Sequence, residues 1–477
     1  MSVKSDGDAT QALLSLCEDK RRWLEELNAA SVKKLLAEGA DVKARNKNGM
    51  TALHLSVQGP YTKAEPLPDA DVVRTLIEAG AEVNARDNHQ QTPILRAVPS
   101  EQSEANEARA LEIIRLLREA GGQVPADVKD GRGGAFKSTS EALYRELLDA
   151  GAAIDARDDA GRTPLHSAAG MGTAPTIHLL LARGAEVNAL DGLGRTPLGV
   201  ALRTQAMPWV AANNRQSAFK AVVGALEAAG GKPGISYPRS DDPLAPFPVD
   251  GAALNAALKG KKLSFKHEVS SAQEVATGLH GYGEPESSLE KLTALRDSLG
   301  VAPRKVHLKG PLSLKSAFFH HGDLEVDGDL SIYRPFAVTG NVIVHGVVRD
   351  CANDSLINVL GDLKCHALYT DGEFTVGGDI EARDVVLGYY NDHILSAGTI
   401  KARVVIEDDH ATMASVEAEQ HFDIDTYSQG YGEGVPERLH ELFVDDVFKV
   451  EEEDEGARLD KGELFYRISE GLPVFRK

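Results

Sequence analysis

Gly161-Arg162-Thr163-Pro164-Leu165 returns as Gly194-Arg195-Thr196-Pro197-Leu198, a shift of 33 residues. A repeat at fixed period constrains the fold more than any figure of composition. One copy of so short a unit cannot bury its own apolar side, so neighbouring copies stack and share a continuous core. A second marker travels with the first, an apolar helical stretch ending in Gly-Ala. It occurs at Leu35-Leu36-Ala37-Glu38-Gly39-Ala40, Leu76-Ile77-Glu78-Ala79-Gly80-Ala81, Leu147-Leu148-Asp149-Ala150-Gly151-Ala152 and Leu180-Leu181-Ala182-Arg183-Gly184-Ala185. The glycine closes each helix in the left-handed conformation. A polar tip follows, and then Thr-Pro/Ala-Leu/Ile opens the next helix, with Thr as cap and Pro in the first turn, where its missing N–H costs nothing.

The openings read Thr51-Ala52-Leu53-His54, Thr92-Pro93-Ile94-Leu95, Thr163-Pro164-Leu165-His166 and Thr196-Pro197-Leu198-Gly199. This pattern resembles the ankyrin repeat over about residues 28–234. Residues 58–70 and 99–107 interrupt it as loops, and the third repeat lacks the opening motif. That leaves four recognisable repeats, one decayed repeat and end caps. The resemblance implies partner binding on the concave face built from hairpin tips and first helices. The matching tip residues are Arg45, Asn46, Lys47 and Asn48; Arg86, Asp87, Asn88 and His89; Arg157, Asp158 and Asp159; and Asp191 and Leu193. His54 and His166 are expected to hold the turn by bonding a neighbouring backbone, not to catalyse.

Residues 232–250 are rich in Pro, Gly and Asp and mark a connector, followed by helices near 251–259 and 287–299. From residue 306 the helical spacing gives way to short alternating strands such as Leu324-Glu325-Val326. Gly-Asp/Asn-apolar recurs at Gly322, Gly328, Gly340, Gly361 and Gly378, and Gly398-Thr399-Ile400 continues it, with last intervals of 21, 17 and 20 residues. Those intervals suit one turn of a parallel β-helix, with Gly supplying the corner conformation and Asp or Asn bonding the turn backbone. A hairpin-based sandwich is the competing fold. Residues 305–425 resemble a right-handed β-helix of the bactofilin-like, polymer-forming kind. The resemblance implies end-to-end stacking of coils, which covered edges would limit.

β-Helices also include carbohydrate-active enzymes that use clustered carboxylates and metal. The polar clusters here are His320-His321, Asn391-Asp392-His393 and Asp408-Asp409-His410. His393 and His410 lie 17 residues apart, on adjacent coils in this reading. With Asp392 and Asp409 they form the candidate metal site, of mixed nitrogen and oxygen ligands; polar turns facing solvent are the plainer account. Gly131-Arg132-Gly133-Gly134 lacks a preceding strand and reads as a loop, not a phosphate site. No phosphate-binding loop, H-E-x-x-H or G-x-S-x-G motif occurs.

The formal net charge of -20 argues against a phosphate-tracking nucleic-acid binder or an anionic membrane partner. Cys17, Cys351 and Cys365 make no disulfide framework, and no leader-like or membrane-spanning apolar run is present. The expectation is a soluble, reduced, cytoplasmic protein. Its fold class is α + β multidomain: an N-terminal all-α ankyrin solenoid, then an all-β parallel, right-handed β-helix. The expected domains are a helical cap (1–27), the ankyrin stack (28–234), a linker and joining region (235–304), the β-helix (305–425) and an acidic segment capping it (426–477). The expected function is non-enzymatic protein–protein interaction, without cofactor, the β-helix acting as second surface or assembly element. The alternatives are self-assembly through the β-helix, neutralisation of a toxin or effector enzyme, and a metal-dependent or carbohydrate-active enzyme.

Overall fold

The computed structural model describes residues 6–19, 23, 25–58, 69–99, 103–125, 140–235, 237–259, 269–279, 284–352, 355–389, 393–424, 426, 431–450 and 457–477. Residues 59–68 of the first interrupting loop, 100–102 of the second, Gly131–Gly134, Asn391, Asp392 and the acidic run Glu451–Glu455 lie outside them, and 104–107 open a helix where a loop was expected. The chain divides into two compact units: residues 1–191 with 195–235, and residues 192–194 with 236–477.

The first unit is built from helices α1 (Asp6–Glu18), α2 (Ala29–Ala37), α3 (Ala52–Val57), α4 (Ala70–Glu78), α5 (Pro93–Arg96), α6 (Glu104–Glu119), α7 (Glu141–Asp149), α8 (Pro164–Met171), α9 (Ala174–Ala182), α10 (Pro197–Gln205), α11 (Pro208–Ala212) and α12 (Gln216–Ala228). They form two layers. α1, α3 and α5 stack in one, as do α8 and α10; α2, α4, α6, α7, α9 and α12 follow one another in the other. Leu53, Ile94, Leu165 and Leu198, the apolar residues of the four opening motifs, are buried in one continuous core. Thr51 and Thr163 cap their helices in reciprocal capping boxes with His54 and His166. Gly39, Gly80, Gly151 and Gly184 have φ between 87° and 95°, the left-handed closure their spacing predicts.

The second unit opens with α13 (Gly251–Lys259), α14 (Ala272–Ala276) and α15 (Pro285–Ser298). Fourteen strands then wind as a parallel β-solenoid: β1 (Val306–Lys309), β2 (Leu312–Leu314), β3 (Phe318–His320), β4 (Leu324–Asp327), β5 (Leu330–Ile332), β6 (Phe336–Val338), β7 (Val342–Val344), β8 (Val347–Asp350), β9 (Leu356–Val359), β10 (Leu363–Thr370), β11 (Glu373–Val376), β12 (Ile380–Tyr389), β13 (Ile394–Asp408) and β14 (Ala411–Ile424). Three faces repeat at each turn. On the first, Val306, Leu324, Val342, Leu363, Ile380, Ile400 and Val416 stand in register. Leu312, Leu330, Val348, Leu368, Val386, Val405 and His421 mark the second. Phe318, Phe336, Ile357, Phe374, Leu395 and Thr412 mark the third. Every pair among β1–β14 is parallel, so the sandwich alternative does not hold.

The Gly-Asp/Asn motif sits at the corner before the first face, except at Gly328, which precedes β5 on the second, and its chemistry differs in part from the sequence reading. Asp323, Asn341, Asp362 and Asp379 each accept, through Oδ1, the backbone N–H of the corresponding residue one coil on, at 2.8–3.0 Å. Gly322 and Gly328 have positive φ, but Gly340, Gly361, Gly378 and Gly398 do not. Those four are glycine because a Cβ would meet the side-chain oxygen of the previous coil's Asp or Asn, at 2.5 Å in Gly340 and 2.9 Å in Gly398. The motif therefore couples successive coils; it does not merely bend each one.

The faces differ in what covers their outer side. Phe319 and Ala337 on the third face pack with Leu254, Leu258, Val275, Leu292 and Leu295 of α13–α15. β3, β6 and β11 are consequently buried on both sides, while β4, β5 and β7 alternate. On the second face, Val347, Ala367, Val385, Leu387, Val404 and Ile406 pack against the C-terminal segment. That segment contains α16 (Val435–Leu442), β15 (Phe448–Val450) paired antiparallel with β16 (Ala457–Leu459), and α17 (Lys461–Ser469). It covers a lateral face of the solenoid. The first face is left to charged rows of alternating sign, with ion pairs Lys305–Glu325 (2.7 Å), His307–Asp327 (2.9 Å), His345–Glu325 (2.8 Å) and Lys364–Glu381 (2.6 Å).

Candidate partner-binding tips and a buried polar corner

The hairpin tips separate into residues that build the turn and residues that do not. Asn46, Asp87, Asp158 and Asp191 occupy the same tip position and turn their side chains inward. Asn46 Oδ1 accepts from the N–H groups of Asn48 and Met50. Asp87 Oδ1 accepts from His89 and Gln91, and its other oxygen pairs with Arg96. Asp158 and Asp191 repeat this with Arg162 and Arg195. Asp87 and Asp191 are buried and their carboxylates are fully engaged.

Arg45 and Arg157 tie one tip to the next. Arg45 Nη1 donates to the carbonyls of Gly49 (3.0 Å) and Arg86 (2.6 Å). Arg157 Nη1 donates to Gly161 O (2.8 Å) and to Leu190 O. Asn88 Nδ2 reaches back to Lys47 O at 3.1 Å. The side chain of Arg86 is half-buried, and Leu193 O accepts from Ser271 Oγ within the second unit. The exposed tip residues whose side chains carry no hydrogen bond or ion pair among the described residues are Lys47, Asn48, His89 and Asp159.

His54 and His166 lie in the buried layer beneath the tips. In each, Nδ1 accepts from the capping threonine, and Nε2–H donates one repeat ahead, His54 to Gln91 O (3.1 Å) and His166 to Arg195 O (2.9 Å). This fixes the tautomer. Burial lowers both pKa values, against the opposing pull of those carbonyls.

The polar clusters of the solenoid have a different character. His393 and His410 precede Ile394 and Ala411, which pair in register, so the two histidines stand on adjacent coils. Both are buried, and His393 Nδ1 lies 3.9 Å from Glu373 Oε2. His410 Nδ1 bonds Ala411 O at 3.2 Å, and burial lowers its pKa. On the same corner, Asp350 is fully buried and accepts from Ser355 Oγ and Thr370 Oγ1. Burial pushes its carboxyl up to about 7, with the nearby Asp371 acting in the same direction. Asp409 has φ 54° in the turn before His410, and Asp392 lies outside the described residues. Among the described residues no group of three or more His, Cys, Asp or Glu is arranged to hold a metal ion. His320 and His321 are buried too, donating Nε2–H to Arg304 O and Val301 O. The inward position of these side chains escaped sequence reasoning because polar residues beside turns are usually solvated. Only their 17-residue spacing pointed to a shared corner.

The architecture is that of a stack of helical repeats followed by a parallel β-solenoid. Residues 25–127 and 135–213 match the family model for ankyrin repeats, three copies, so the helical stack is made of ankyrin repeats. Comparison with curated proteins finds no match for this chain. Among the described residues, no helix is long and apolar enough to cross a membrane.

Proposed function

We propose that this protein is a protein-interaction module that binds its partner through the ankyrin tips. Ankyrin repeats are interaction modules as a class, and fold alone names no partner. The observation that carries the reading is the division of labour at the tips. Asn46, Asp87, Asp158 and Asp191 hold the turns, leaving Lys47, Asn48, His89 and Asp159 exposed and unengaged at three of the tips. Arg45, Arg86 and Arg157 belong to the same surface, but Arg45 and Arg157 also bridge tips, so loss of either changes stability as well as binding.

The test is capture of a partner from native lysate by the full chain, beside Lys47→Glu and Asp159→Lys variants. Retention by wild type and loss in both variants, with unchanged melting, supports the tips; equal retention in all three removes them from the interface.

A second reading, self-association through the solenoid, is favoured by one observation. β14 is a 14-residue strand that pairs only with β13 among the described strands, and an unpaired edge is a template for another strand. Sedimentation of the full chain over a hundredfold concentration range decides it, a constant monomer mass excluding this role.

A further inference from the structure

The connector at the start of the second unit brings two arginines into one small cavity. Arg239 and Arg304 line it together with Ser240, Phe319 and His320, and its volume is about 10 Å³. By that measure it has room for one oxygen-sized atom. The Nε atoms of both arginines are buried and, among the described residues, have no hydrogen-bond partner. A buried donor left unpaired is costly, the more so when it carries charge, so native proteins rarely leave one without a ligand, ion or water to meet it.

Both guanidinium groups are held in place by their surroundings. Arg239 stacks on Phe247, 4.5 Å from ring centroid to guanidinium carbon, and Phe247 packs edge-on against Phe319 at 5.3 Å. The backbone of Arg304 is pinned on both sides: its N–H donates to His321 O at 2.9 Å, and its carbonyl accepts from His320 Nε2 at 2.9 Å. The local charges are uneven. Asp241 pairs with Arg304 Nη1 at 3.0 Å, but its carboxylate is fully exposed. Asp242 Oδ1 is spent on the N–H of Leu244. Burial lowers the pKa of Arg239, and the charge of Arg304 lowers it further, with Asp241 opposing. His320 and His321 are held low by burial, so they add no charge near neutral pH.

We propose that this cavity is a binding site for a small oxyanion, a phosphate or carboxylate group, that places one oxygen between Arg239 and Arg304. A planar guanidinium offers that oxygen a charge-assisted N–H from each side, the geometry for which arginine is suited. Asp241, tethered to Arg304 from solvent, competes with the incoming anion. This proposal does not depend on the role of the ankyrin tips.

Calorimetric titration of the full chain with sodium phosphate, and separately with sodium acetate, against sodium chloride at equal ionic strength tests the assignment. Saturable binding of phosphate alone assigns the site to phosphoryl groups; binding of acetate as well assigns it to carboxylates. Arg239→Gln and Arg304→Gln should each weaken binding at least tenfold, and Asp241→Asn should tighten it severalfold. Arg239→Lys keeps the charge over Phe247 while removing the Nε–H, and should weaken binding even where Arg239→Gln fails to fold. No saturable heat from either anion in wild type and Asp241→Asn overturns the proposal, as does undiminished affinity in Arg239→Lys and Arg304→Gln.

Discussion

The side-chain oxygen of Asp362 accepts the backbone N–H of Asp379, one coil further on, at 3.0 Å. The same oxygen occupies the space that a Cβ on Gly378 would need. Asp362→Ala should therefore destabilise the solenoid by about 1.5–3 kcal/mol, the worth of a hydrogen bond to a charged group. Gly378→Ala should cost more through the clash. In the double variant the clash with the carboxylate is gone, so the two effects should fall short of their sum by at least about 0.5 kcal/mol. Urea unfolding of the four proteins checks this, and strict additivity would show that the contact is not the reason for the glycine.

Stability should respond to pH in opposite senses at two kinds of buried group. His54 and His166 have pKa values lowered by burial. Their contribution to the ankyrin stack is complete above the unfolded value of about 6.5 and is lost as pH falls through it. Replacing His54 by Ala should cost about 1–3 kcal/mol at pH 7.5, leaving the Gln91 carbonyl unpaired, and should flatten the acid limb. Melting followed from pH 5 to 8 is the measurement.

Asp350 works the other way. Its folded pKa is pushed up to about 7, above an unfolded value of about 3.9. The folded state then holds the proton more tightly, so stability falls as pH rises between those values. Asp350→Asn should unfold at higher urea than wild type at pH 8 and show little difference at pH 4. A penalty from Asp350→Asn at pH 8 larger than at pH 4 would reverse the sign.

The C-terminal segment is held by a buried pair. Lys461 Nζ lies 2.8 Å from Asp408 Oδ2 and 3.1 Å from the centroid of the Tyr389 ring, and Thr426 Oγ1 also donates to Asp408. Lys461→Met should cost about 3–5 kcal/mol, because it strands the buried carboxylate. Hydrogen exchange should rise across residues 457–477 before the rest of the solenoid. Removing both partners, as Lys461→Met with Asp408→Leu, should restore most of the loss.

Thiol chemistry should distinguish the cysteines. Cys17 and Cys365 are buried and burial pushes their thiols up to about 12, whereas Cys351 is only half-buried. The native protein should therefore react slowly at one thiol and the unfolded protein at three. Replacement of Cys351 by Ser should abolish the native reaction.

The helical stack was legible because its markers are local. A threonine cap, a proline in the first turn and a closing glycine each act within a few residues, so they survive as text. The opening motif also carried the reading that its histidines bond a neighbouring backbone, as His54 does at Gln91 O and His166 at Arg195 O. The tip residues were less legible: Arg45 resembles an exposed binding residue, yet its partner is a carbonyl 41 residues away. In the solenoid, intervals of 21, 17 and 20 residues matched the register from Val342 to Leu363, Ile380 and Ile400. The role of glycine did not follow from spacing, because the obstructing atom belongs to the previous coil. The covers on the second and third faces were hidden for the same reason. Ala367 and Ala337 resemble surface residues until α13–α15 and the C-terminal segment are known to lie over them.

The chain of side-chain oxygens from Asp323 to Asp379 has a direction and an end. Each accepts from the coil that follows, and the last N–H received belongs to Thr399. Thr399 stands in the next Asp/Asn position, and among the described residues its side chain passes no bond onward to Ser415, its partner in register. The winding thus works as a one-way ratchet whose final tooth is blank. Thr399→Asp would re-cut that tooth and carry the ladder onto β14, a coil that the solenoid already reaches without it.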